Sequence, residues 1–124
     1  MAHMPTVLIV DDEAPIRTML AEMLKLEGVP FETAGNGREA LDLLARGEAR
    51  IVLLDLSMPV LDGRGMLQEL EASPVERAKH KIILMSALTR LEANRDLIAD
   101  GILSKPFTLP QLLSVLESVS AQVH

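Results

Sequence analysis

The feature that most constrains this 124-residue chain is a recurring short apolar run, rich in Val, Ile and Leu, each followed by a stretch with helical spacing. Thr6 to Val10, Ile51 to Asp55 and Lys81 to Ser86 place apolar residues at consecutive rather than alternate positions. Strands of that kind are covered on both faces, as in parallel sheets flanked by helices. Weaker runs at Val29 to Ala34 and Ile102 to Ser104 complete five units. Pro30 has no N–H to donate, so the former belongs at a sheet edge.

The intervening stretches read as helices. Ile16, Met19, Leu20, Met23 and Leu24 form one apolar face, with Pro15 suited to the first turn and Gly28 to the end. Gly37 to Arg46 follows, capped by Asn36 with Glu39 and stopped by Gly47. Further helices are predicted at Arg64 to Ala72 and Arg90 to Ala99. The last follows Thr108, with Gln111 as its capping-box partner, and packs through Leu112, Leu113, Leu116 and Val119. Parallel strands need crossover connections, which are right-handed. The expected fold is α/β, a doubly wound five-stranded parallel sheet with five helices.

Composition narrows the chemistry. The chain has no cysteine, which excludes disulfides and thiolate metal sites. With 18 acidic against 12 basic residues the net charge is −6, and Phe31 and Phe107 are the only aromatic side chains, so direct nucleic-acid binding is disfavoured. The basic stretch Arg77, Lys79, His80 and Lys81 reads as a solvated loop. The apolar runs fall far short of the ~18 residues of a membrane span, so no membrane association is expected and the location is expected to be cytoplasmic. Residues 1–3, Met-Ala-His, read as an expression scar, leaving residues 4–124 as one domain.

In open α/β sheets ligands bind beyond the carboxyl ends of the strands. The polar residues at those ends are Asp11, Asp12 and Glu13, then Asp55 and Ser57, then Ser86, then Lys105. Singly, most have ordinary explanations: Asp11 and Asp12 complement a helix dipole for ~0.3–1 kcal/mol, and Ser86 and Lys105 are a strand-end hydroxyl and a surface lysine. Asp55 caps no adjacent helix, so function is favoured there. If the three carboxylates converge, each pair at ~5 Å repels by roughly 3 kcal/mol at an effective dielectric of 20. Lys105 supplies one compensating charge and a divalent cation supplies two. An oxygen-only, partly hydrated sphere suits Mg²⁺ better than Zn²⁺, and such a site is built to receive a phosphoryl group.

In combination these residues are specific. The Asp11–Asp12 pair, the Asp-Leu-Ser-Met-Pro turn from Asp55 with Asp62-Gly63 behind it, Met-Ser-Ala around Ser86, Lys-Pro-Phe-Thr from Lys105 and Asn-Gly-Arg-Glu-Ala-Leu from Asn36 resemble a response-regulator receiver domain of two-component signalling. The resemblance runs from Val7 to about Val119. It implies a flavodoxin-like strand order, 2-1-3-4-5. It further implies that Asp55 accepts phosphate from a sensor histidine kinase or phosphotransfer protein. Asp12, Asp55 and the Ser57 carbonyl would bind Mg²⁺, with Asp11 acting largely through water. Ser86 and Lys105 would hold the phosphoryl group, and the surface of the fourth helix, fifth strand and fifth helix would change for a downstream partner or an effector domain absent from this chain. Where the family often has an aromatic ring three residues before the lysine, this sequence has Ile102, expected to act by packing rather than as a rotating ring. Ser57 and Leu88 stand where a hydrolytic water would be oriented. Neither is suited to that task, so a long-lived phosphorylated form is expected, with Leu88 excluding water if it folds over the site.

Three rival readings exist. Gly35, Gly37 and Ala40 match a dinucleotide-binding fingerprint, but Pro30 and the polar residues of the preceding strand fit it poorly. A haloacid-dehalogenase-type phosphatase would place its nucleophile first and carry an acid where Ser57 stands. The remaining alternative is a receiver-like interaction module that is not phosphorylated.

Overall fold

The computed structural model describes residues 4–58 and 60–121; the presumed scar lies outside them. Five parallel strands, β1 (Thr6–Val10), β2 (Phe31–Ala34), β3 (Arg50–Asp55), β4 (Lys81–Ala87) and β5 (Gly101–Lys105), form one sheet in the order β2-β1-β3-β4-β5. Among the described residues six helices cover it: α1 (Ala14–Leu26), α2 (Gly37–Leu44), α3 (Gly63–Glu71), α4 (Pro74–Lys79), α5 (Leu88–Ala93) and α6 (Leu109–Ser120).

The consecutive apolar positions of the central strands divide between two cores. Val7, Ile9, Ile51, Leu53, Ile83 and Met85 face α1 and α6, meeting Leu20, Leu24, Leu112 and Leu116. Leu8, Val10, Val52, Leu54, Ile82 and Leu84 face the opposite side, meeting Ala40, Leu44, Met66, Leu67, Leu70 and Leu91. Each fully buried Leu or Ile contributes roughly 1.5–3 kcal/mol, and the alternation locks the register, since a slip of one residue exchanges the two cores.

Local chemistry sets most of the ends. Gly28 takes φ +69 just past α1, where Val29 N–H closes back on the Leu24 carbonyl at 2.9 Å. Pro30 confines β2 to an edge and delays it to Phe31. Asn36 caps α2 by accepting from Glu39 N–H, and Thr108 with Gln111 forms the expected capping box of α6.

Two expectations need correction. The helix expected at Arg90 to Ala99 instead spans Leu88–Ala93. Asn94 ends it: its side-chain amide donates to the Arg90 carbonyl at 2.8 Å, and its Oδ1 accepts from Arg64. The segment read as a solvated basic loop is mostly α4, a helix beyond the five expected, with Pro74 in its first turn. Its six residues bury none of their side chains, so no apolar stripe announces them.

His80, expected in that loop, is 1% exposed. Its Nδ1 accepts from Arg50 N–H at 3.1 Å, while Nε2 is buried without a partner. Burial holds the imidazole below its ordinary pKa; Arg50, Lys79 and Arg77 add to this and Glu76 opposes it. A histidine kept neutral by folding costs stability as pH falls through its unfolded pKa, about 6.5. His80→Asn retains an acceptor without that proton. Its melting temperature, read by circular dichroism, should therefore gain on the wild type as pH falls from about 7.5 to 5.5; parallel curves would remove the histidine from the acid response.

Candidate functional site

The carboxyl ends of β1, β3, β4 and β5 gather the site. Val10 pairs with Leu54, so Asp11 follows β1 at the level of Asp55. Asp55 pairs with Met85, which puts Ser86 one residue beyond it, and Ala87 pairs with Lys105. Asp11 and Asp55 are 0% and 3% exposed, Ser86 is buried, and Asp12 and Ser57 lie at the surface.

Carboxylate oxygens of Asp11, Asp12 and Asp55 lie within 4.8 Å of one another. Lys105 Nζ stands 2.9 Å from Asp11 Oδ2 and 3.8 Å from Asp55 Oδ1. Asp11 Oδ1 also accepts from Glu13 N–H at 2.9 Å, and Asp55 Oδ1 from Ser57 N–H at 3.2 Å. Three carboxylates thus face one ammonium. Burial pushes the Asp55 carboxyl up to about 6; Asp11 and Asp12 add to the rise, while the Ser57 amide and Lys105 oppose it. The cluster, with Asp11 and Asp55 buried and Asp12 exposed, is short of positive charge, and its ligand atoms are all oxygen. Those properties fit a hard divalent cation, which Asp11, Asp12 and Asp55 are placed to hold.

The turn after β3 is built around glycines. A Cβ on Gly63 would lie 2.7 Å from the Asp55 carbonyl oxygen, and one on Gly37 would lie 2.6 Å from that of Leu61. Gly37 N–H donates to that Leu61 carbonyl at 3.1 Å. The second glycine of the apparent dinucleotide fingerprint therefore serves a close backbone approach, seating α2 against the loop behind Asp55.

Not every expected residue joins the cluster. Ile102 is 63% exposed, because β5 is an edge strand and Ile102 lies on the opposite face from buried Leu103. Leu88, 59% exposed, begins α5 and lines a surface groove with Leu91, Glu92, Arg95, Ile102 and Ser104. Sequence reasoning missed two arginines. Arg17 donates to the Asp11 carbonyl at 2.7 Å. Arg64, in the first turn of α3, grips both Asp96 oxygens at 2.7 Å and also holds Asn94, tying α3 to the end of α5. Both occupy positions that read as ordinary solvated helix surface.

Residues 7–117 match the family model for the response regulator receiver domain. A probable transcriptional regulator, ycf27, of Porphyridium aerugineum is 36% identical over 120 residues, covering 94% of this chain and 48% of the relative. The response regulator MprA of Mycolicibacterium vanbaalenii is 34% identical over 113 residues, covering 91% and 49%. This chain therefore spans about half the length of those curated relatives. Among solved structures, the chemotaxis protein CheY4 of Vibrio cholerae superposes with a TM-score of 0.81 at 29% identity, over 94% of this chain and 98% of its own. The receiver domain of the sensor histidine kinase PA1611 of Pseudomonas aeruginosa, with a magnesium ion coordinated in its active-site cleft, gives 0.84 at 25% identity, over 95% and 98%. The chain belongs to the response regulator receiver family, and the flavodoxin-like strand order expected from the resemblance is the one observed. Among the described residues, no helix is long and apolar enough to cross a membrane.

Proposed function

We propose that this domain is a phosphorylation-dependent signalling switch of the cytoplasm, accepting a phosphoryl group on Asp55 from a sensor histidine kinase or phosphotransfer protein, with Mg²⁺ as cofactor. The carrying observation is the buried Asp55 at the end of the central strand, with Asp11 and Asp12 oxygens within 4.8 Å and Lys105 at 3.8 Å. An Asp55 oxygen attacks phosphorus as the bond to the donor nitrogen breaks, leaving an acyl phosphate. Asp12, Asp55 and the Ser57 carbonyl would hold Mg²⁺, with Asp11 acting largely through water, and the ion would supply positive charge to offset that of the phosphoryl group. Lys105 and Ser86 receive the phosphoryl oxygens; the work is positioning and electrostatics rather than multiple-turnover chemistry.

Recruiting Ser86 draws on β4 and the α5 that follows it, so output is a population shift of the α5, β5 and α6 surface toward a protein partner or effector domain. The test is incubation with a small phosphodonor and Mg²⁺, read by intact mass. The expected result is one added phosphate in the wild type and strongly slowed labelling in Asp12→Ala. A wild type that stays unlabelled, also with purified histidine kinases, would favour an interaction module that is not phosphorylated.

The lifetime of the phosphorylated form follows from the same residues. Ser57 has a short side chain and Leu88 has no hydrogen-bonding atom, so neither orients an attacking water well. Ser57→Asn with Leu88→Glu should shorten the lifetime severalfold, measured as loss of phosphoprotein in excess Mg²⁺ after donor removal. Equal or slower decay would exclude these positions from control of hydrolysis.

A further inference from the structure

Asp12 presents a problem of placement. It is exposed, and among the described residues its carboxylate makes no hydrogen bond or ion pair, yet an oxygen of it stands within 4.8 Å of oxygens of Asp11 and Asp55. Only the backbone that carries it can hold it there against like charge. The relevant peptide joins Asp11 to Asp12, beyond the strand registers, which end at Val10. Asp11 N–H donates to the Ala34 carbonyl at 3.1 Å, and Glu13 N–H to Asp11 Oδ1 at 2.9 Å. The carbonyl of that peptide accepts from Arg17 Nη1 at 2.7 Å, a charge-assisted bond.

Arg17 is well set to do this. Its own N–H bonds the Glu13 carbonyl at 3.0 Å, so it belongs to the rigid start of α1. Its guanidinium lies beside the end of β2, where a Cβ on Gly35 would stand in ordinary van der Waals contact with Nη1 at 3.6 Å. Among the described residues Arg17 forms no ion pair, and its guanidinium bonds this carbonyl alone.

We infer that Arg17 is a positioning residue for the divalent cation, acting through the Asp11–Asp12 peptide to hold the Asp12 carboxylate in the cluster. The inference rests on the Mg²⁺ reading above and makes a prediction of distinctive sign. Considered as charge alone, a guanidinium close to the site repels Mg²⁺, and removing it tightens binding. Considered as a positioner, it pre-organises a ligand, and removing it weakens binding.

The experiment is calorimetric titration of Mg²⁺ into the full chain near pH 7.5, for wild type, Arg17→Met, Arg17→Gln and Arg17→Lys, with folding checked by circular dichroism. Arg17→Met and Arg17→Gln should bind Mg²⁺ about tenfold more weakly, and Arg17→Lys, which keeps a charged donor, should recover part of the loss. Two neutral variants keep the test open if one fails to fold, and recovery by lysine separates positioning from a general loss of helix stability. Unchanged or tighter binding in the folded neutral variants, with wild type binding normally, overturns this inference and leaves the Mg²⁺ site standing. A wild type that binds no Mg²⁺ overturns the site and the inference together.

Discussion

Asp55→Asn should make the domain inert to phosphodonors and, in metal-free buffer, more stable than the wild type. The first effect follows because Asp55 alone ends the central strand beside both other acids and the lysine. The second follows from the carboxylates without a cation, the state that metal-free buffer imposes. The folded Asp55 carboxyl is raised to about 6, chiefly by burial, against about 3.9 in an unfolded chain. Its ionisation therefore opposes folding, by roughly 2–3 kcal/mol once pH exceeds both values. Asn carries no charge and keeps an acceptor for Ser57 N–H, which Asp55 Oδ1 binds at 3.2 Å. The gain should be full above about pH 7, shrink as pH falls through 6, and vanish near about pH 3, where the wild-type carboxyl is neutral in both states. Mg²⁺ should narrow the gap by stabilising the wild type alone. Thermal melts across pH, with intact mass after phosphodonor treatment, check both effects. A variant labelled at the wild-type rate would move the acceptor elsewhere, and a pH-independent gain would remove the electrostatic cause.

Gly63→Ala should be among the most damaging single-methyl changes in the chain. The added carbon would lie 2.7 Å from the Asp55 carbonyl oxygen and 2.9 Å from Leu56 Cα, both backbone atoms of the acceptor turn. Relief requires moving α3 away from β3. Such overpacking costs ~3 kcal/mol, well above the ~0.5–1 kcal/mol that Ala returns over Gly in a helix. A drop in melting temperature of about 10 °C is expected, together with slower phosphorylation, because the turn carrying Asp55 and Ser57 is displaced. Gly65→Ala is the control on the same helix: its closest contact is 2.8 Å from Leu61 Cδ1, the far end of a flexible side chain that can turn aside. If both variants melt together near the wild-type temperature, the close approach of α3 to Asp55 is not a constraint.

Much of this molecule was legible in the sequence. The consecutive apolar residues of β1, β3 and β4 announce two-sided burial, and the caps of α2 and α6 stand where Asn36 and Thr108 place them. The resemblance to receiver domains supplied the strand order, and the acidic triad with Lys105 was recognisable from residue types at the ends of successive strands. These signals are local: a periodicity, a capping side chain or a strand-end carboxylate is written within a few residues.

The features the sequence concealed depend on contacts between distant segments. α4 has no buried stripe to betray it, and His80 is buried because β3 presents the Arg50 amide to it from 30 residues away. α5 stops at Asn94, a residue also held by Arg64 from another helix. Ile102 is exposed because β5 lies at the sheet edge, a fact of strand order rather than of its own side chain. The sequence by itself determined which residues form strands and which acids and base stand at their ends. Only tertiary structure decided that Lys105 meets Asp11 across 94 residues, that a glycine lets α3 approach the Asp55 carbonyl, and that Arg17 holds the peptide carrying Asp12. Periodicity records which face of an element is apolar, whereas a bond between two elements depends on a packing geometry that only the folded chain possesses.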